Sequence, residues 1–98
     1  MSIIISPKIR DKLAAKHNVS PDDIDQCFAN KNGEYIEDNR PEHQKNGLPT
    51  YWFIAENHYG RKIKVVFIEE NGNIYIRTAL EANPDVIRNY LKNGGNVI

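Results

Sequence analysis

The sequence predicts an α+β domain: an antiparallel sheet of about four strands, with two N-terminal helices and one C-terminal helix packed on it. Three observations carry this. Residues 61–80, RKIKVVFIEENGNIYIRTAL, place two apolar runs on either side of Glu69-Glu70-Asn71-Gly72-Asn73, and Asn-Gly supplies the φ > 0 positions of a tight β-hairpin. Residues 50–56, TYWFIAE, form an aromatic and β-branched strand that the short turn Asn57-His58-Tyr59-Gly60 joins to that hairpin. Ser6-Pro7, Ser20-Pro21 and Asn83-Pro84 each pair a capping side chain with proline, the signature of a helix start.

The elements follow in order. Ile3-Ile4-Ile5 reads as an edge strand or an arm packed on the core. After Ser6-Pro7, Ile9 and Leu13 recur at helical spacing, with Lys8, Arg10, Asp11, Lys12 and Lys16 mostly outside. Lys16 and His17 suit the negative end of the helix dipole, and Asn18 stops the helix. The second helix starts at Ser20, with Asp22 and Asp23 in its first turn, and buries Ile24, Cys27 and Phe28. Residues 34–38 make a weak strand, and residues 39–49 a polar loop. In the central hairpin, Ile63, Val65 and Phe67 share one face, and Lys62, Lys64, Val66 and Ile68 the other. Strict alternation then sets Ile74, Ile76 and Thr78 against Tyr75, Arg77 and Ala79. The last helix presents Val86, Ile87, Tyr90 and Leu91. Helices at both ends of an antiparallel meander imply two layers, with all helices on one sheet face.

Residues 1–98 form one domain with one modest core. Lys plus Arg and Asp plus Glu both number 13, which argues against coating nucleic acid by bulk charge and leaves room for a local basic patch. Cys27 is the single cysteine, so no internal disulfide forms and a reducing cytoplasm is the expected compartment. The N-terminal residues contain no long apolar stretch, and no run approaches a membrane span. His17, His43 and His58 lie in no ligand-spaced cluster, so neither metal nor cofactor is expected.

Two groups of residues could carry chemistry. Glu37, Asp38, Arg40, Glu42 and His43 crowd one loop segment. Such a loop is commonly a solvated surface, and its functional reading is a site rim in which Arg40 binds phosphate and His43 moves a proton. Lys64 and Arg77 are cations in otherwise apolar strands. They can be edge protection. With Thr78, and with Trp52 or Tyr51, they can also present cations beside aromatics on an open sheet face, which suits a nucleotide. Tyr59 and Tyr90 read as packing residues.

The order of several short motifs resembles the BrnT-like toxins of the RelE-like toxin-antitoxin ribonuclease superfamily. The matching residues are Lys16-His17-Asn18-Val19-Ser20, Ile24, Cys27-Phe28, Asp38-Asn39-Arg40, Trp52-Phe53-Ile54-Ala55, Lys64-Val65-Val66-Phe67-Ile68, Ile76-Arg77-Thr78-Ala79 and Tyr90 in the final helix. They span nearly the whole chain, from about Ile9 to Tyr90. The chain departs where the family carries Ser-Ala-Arg, with Thr78-Ala79-Leu80, and it lacks the Glu ahead of Tyr90. The resemblance implies a metal-independent endoribonuclease acting on RNA, with a small antitoxin protein as partner. It puts Lys64, Arg77 and Thr78 at the phosphate, Arg40 beside them, His17 or His43 as the proton carrier, Asp38 as its orienting group, and Trp52 or Tyr51 against a base. Self-association into a homo-oligomer is left open. The runner-up is a non-catalytic protein-interaction module of the same fold. An ADP-ribosyl-dinitrogen reductase hydrolase is disfavoured, because no dense metal-binding carboxylate set is present.

Overall fold

The computed structural model describes residues 2–31, 33, 35–38 and 48–93. The described chain runs β1 (Ile3–Ile4), α1 (Pro7–Lys12), a π-helical turn (Leu13–His17), α2 (Pro21–Asn30), β2 (Ile36–Asp38), β3 (Thr50–Glu56), β4 (Lys62–Glu70), β5 (Asn73–Glu81) and α3 (Pro84–Lys92). The helix starts are where the Pro-containing pairs lie. The Ser6 hydroxyl accepts from the Ile9 N–H at 3.2 Å. Ser20 and Asp23 exchange bonds in a capping box, at 3.0 and 3.1 Å. The Asn83 carboxamide oxygen accepts from the Val86 N–H. Asn18, at φ 52°, ends the π-helical turn.

The sheet has the order β1-β5-β4-β3-β2. β2 to β5 form the expected antiparallel meander, while β1 adds a fifth strand parallel to β5, with Ile3 opposite Ile74. Asn71 and Gly72, at φ 54° and 79°, close the β4–β5 hairpin as a two-residue turn.

Strict alternation fails at one point in β5. Val66 pairs with Thr78 but Phe67 pairs with Ile76, which leaves Arg77 as the extra residue of a β-bulge. The bulge reverses the parity of everything after it. Ala79 therefore joins Ile74 and Ile76 in the core, all at 4% exposure or less. Thr78 takes the opposite face, beside Val66.

The helices do not share one face. Phe28 of α2 packs its ring 4.8 Å from Phe53 and 5.7 Å from Phe67. Ile63, Val65, Ile74, Ile76 and Ala79 lie on that same face, buried under α2 and the π-helical turn. Trp52, the residue before Phe53 on β3, points to the other face and meets Tyr90 of α3 at 5.4 Å. The result is three layers, helix–sheet–helix, rather than two. In α3, Tyr90 is fully buried and Val86 and Ile87 are partly so, whereas Leu91 is left about half exposed. Among the described residues no helix is long and apolar enough to cross a membrane.

Candidate functional site

The face expected to be open is partly roofed by α3. Lys64 Nζ stands 4.6 Å above the Trp52 ring, and Tyr90 packs against the same indole. Trp52 is only 8% exposed. Its indole is thus engaged by a cation and a phenol and offers no platform for a base. Lys64 pairs with Leu80, and Thr78 with Val66, so Lys64 and Thr78 are diagonal neighbours on this face. Tyr51 is on the opposite face, stacked on Phe67 at 5.9 Å. Burial, with the Glu37 carboxylate beside it, raises the Tyr51 phenol above its ordinary value.

Arg77 leads elsewhere. The bulge directs it into a groove of about 650 Å³ where β1 and α1 meet the hairpin. Ile4, Ile9 and Ile68 form apolar walls. Lys8 and Lys12 line the groove from α1, one turn apart on the same side. Tyr75 lines it from β5, with Glu70 at the hairpin end. The Nη1 atom of Arg77 is buried with no hydrogen-bond partner. An unsatisfied buried donor costs about 1–3 kcal/mol, and among the described residues nothing accepts from this nitrogen. Bulges recur beside functional sites because they re-aim one side chain without disturbing the strand.

The other expected site residues scatter. His17 ends the π-helical turn, in the helical layer across the sheet from Lys64, and its carbonyl accepts from Arg61 Nη2 at 2.8 Å. Asp38 ends β2, opposite Thr50 on the far edge strand. Arg40 and His43 lie outside the described residues. The structure therefore brings Lys64 and Thr78 together, separates Trp52 from Tyr51, and sets Arg77 in a groove of its own. Lys8, Lys12 and Tyr75 were missed. The signal for the first two was their four-residue spacing on α1; for Tyr75 it was its place on the non-core face of β5.

A second cleft, of about 690 Å³, lies between the α1–α2 region and the β3–β4 turn. Its polar groups are satisfied by one another. Asn57, 6% exposed, donates to Asp23 Oδ1 at 3.0 Å and accepts from the Tyr59 and Arg61 N–H groups. Arg61 donates to Asn18 O, His17 O and Glu81 Oε1 at 2.7, 2.8 and 2.9 Å. Burial raises the Asp23 carboxyl, but bonds from the Ser20 N–H, Asn57 and the Ser20 hydroxyl, with Arg61 nearby, outweigh it and hold the group below its ordinary value. This is a clamp that fixes the turn to the helices. Tyr59 at its rim is 91% exposed, so it is not the packing residue the sequence suggested. Cys27 is fully buried, and its thiol donates to the Ala55 carbonyl at 3.6 Å. Burial, with the Asp23 charge, pushes that thiol up to about 12, so it is no nucleophile.

Among the described residues no group of three or more His, Cys, Asp or Glu side chains could hold a metal ion. Compared with known proteins, the chain matches no family model, and no curated protein matches it.

Proposed function

We propose that this protein acts on RNA as a metal-independent endoribonuclease of the toxin type, held in check in the cell by a small antitoxin protein. The observation that carries the reading is Arg77, a guanidinium in a β-bulge with a buried, unpartnered nitrogen facing a groove that two lysines also line. The resemblance of the motif order to that of BrnT-like toxins is its second support. RNA brings its own nucleophile, the 2′-hydroxyl. Attack on the adjacent phosphorus forms a 2′,3′-cyclic phosphate and releases the 5′-oxygen. The protein must take one proton from the 2′-oxygen, return one to the 5′-oxygen, and neutralise the charge that builds on the phosphoryl oxygens.

Arg77 is assigned to that charge. Its fork can grip two phosphoryl oxygens at once, and it compensates for Leu80, which stands where the resembled toxins carry arginine. Thr78 adjoins it, and Lys64 contributes positive potential from the next strand. His43 is assigned to proton transfer in preference to His17, which does not line the groove that holds Arg77. Arg40 is assigned to assist at the phosphate, and Asp38 to orient the histidine.

Inducing the protein in growing bacteria while following growth and bulk RNA tests the reading. Growth arrest with RNA fragmentation, lost on Arg77→Gln, is expected. Intact RNA and normal growth would contradict it, provided that no antitoxin is co-expressed. In vitro, cleavage should persist in a chelator.

The second reading is a protein-interaction module without catalysis. It is favoured by one specific observation: among the described residues no histidine stands in the groove that Arg77 lines.

A further inference from the structure

We propose that the Arg77 groove seats one nucleotide unit of single-stranded RNA, its phosphate held by Arg77, Lys8 and Lys12 and its base laid against Tyr75. This rests on the RNA-directed reading above and goes further, because it assigns α1, and not α3 with the Lys64–Trp52 pair, as the second wall of the site.

The parts match the ligand. The groove, at about 650 Å³, has the size of a small-molecule site and is open along one side. Three cations line it against one carboxylate, Glu70, in a chain whose formal net charge is zero. Charge is therefore concentrated where the chain average hides it. The buried Arg77 nitrogen needs an acceptor, and a phosphodiester supplies two equivalent ones at the spacing of the guanidinium fork. Lys8 and Lys12, exposed on α1 and in no ion pair among the described residues, track a backbone as point charges.

Tyr75 supplies the apolar half. It pairs with Ile68 and Ile4 across the sheet, so its ring stands among aliphatic neighbours, half-buried at the groove wall. An aromatic ring beside a cation strip is how proteins hold unpaired bases. The ligand is single-stranded, since only an unpaired base is free to lie against Tyr75.

Binding and cleavage can be separated. A fluorescein-labelled 2′-O-methyl oligoribonucleotide lacks the nucleophile and cannot be cut, so its anisotropy reads binding alone. Wild-type protein should bind it, more weakly as salt rises. Arg77→Gln and Tyr75→Ala should each weaken binding by roughly tenfold. Lys8→Gln and Lys12→Gln should weaken it less and flatten the salt dependence, while Lys16→Gln, with the same charge lost outside the groove, should leave it unchanged. Arg77→Lys should recover part of the loss. Thermal melts establish that each variant is folded. Equal binding by wild type and all four groove variants would overturn the inference, as would a loss from Lys16→Gln as large as that from Lys8→Gln. If the oligonucleotide binds in the groove but unmodified RNA stays intact, the groove stands and the ribonuclease reading falls. If the groove variants cut RNA at the wild-type rate, RNA cleavage stands, while the groove and the role of Arg77 at the phosphate both fall.

Discussion

Arg77→Met should make the protein more stable. The side chain is half-buried, and its Nη1 is sequestered without an acceptor. A buried donor left unpaired costs about 1–3 kcal/mol. Because only part of the guanidinium is sequestered, the low end applies, and the expected gain is about 1 kcal/mol. Methionine nearly matches the arginine stem in length and adapts its shape, so it refills the space against Ile9 and Ile76 without a cavity. Urea unfolding is the assay. With a slope of about 1–3 kcal/mol/M, the midpoint should rise by roughly 0.3–1 M at unchanged slope. The same variant should lose RNA binding. Stability gained with function lost is what a residue kept for a ligand shows. A midpoint that falls by a similar amount would mean that Arg77 stabilises the fold, and the reasoning that makes it a ligand-binding group would fail.

Three other outcomes are expected. Arg61→Ala removes two bonds to the carbonyls that end the π-helical turn, and an exposed pair with Glu81 that counts for little. It should cost about 2–3 kcal/mol, a drop of about 8–24 °C in melting temperature; Arg61→Lys should recover less than half. Cys27 should resist iodoacetamide in the native protein at mildly alkaline pH and react once urea unfolds the chain, since burial pushes its thiol up to about 12; rapid native labelling would contradict its place in the core. Asp23 is held below its ordinary 3.8 in the folded state. Its contribution is therefore fully present above that value and lost as pH falls through the folded one. The stability advantage of wild type over Asp23→Asn should shrink in acid melts below 3.8 and stay constant above it.

Much of the framework could be read from local chemistry. Asn71-Gly72 closes its hairpin as a two-residue turn because both positions must be left-handed, and the residue types declare that. Ser6, Ser20 and Asn83 cap their helices because the orphan N–H groups lie within three residues of each. Ile63, Val65 and Phe67 share the buried face by simple alternation.

What stayed hidden depended on distant partners. Nothing between Asn73 and Glu81 marks Arg77 as the extra residue. Its bulge arises from how β5 must match β4 while still burying Ala79, and a one-residue slip moves every later side chain to the other face. Placing α3 on the opposite face required knowing that Trp52 and Phe53 both need cover, one from each side. The same fact removes Trp52 from the expected site, because the indole that a base would need is spent on Lys64 and Tyr90. The parallel pairing of β1 brings α1 past the bulge, and with it Lys8 and Lys12. The cationic pair in the hairpin was visible; that its two members face different surroundings was not.

The central claim is that Arg77, and not the Lys64–Trp52 pair, meets the phosphate of RNA. Proton–nitrogen correlation spectra reach both places at once, through the Arg77 Nε–H and the Trp52 indole N–H. As the 2′-O-methyl oligoribonucleotide is added, the Arg77 signal should shift with saturable dependence while the Trp52 signal stays in place. A shift of the Trp52 signal with the Arg77 signal unmoved would contradict the account and return the site to the sheet face beneath α3.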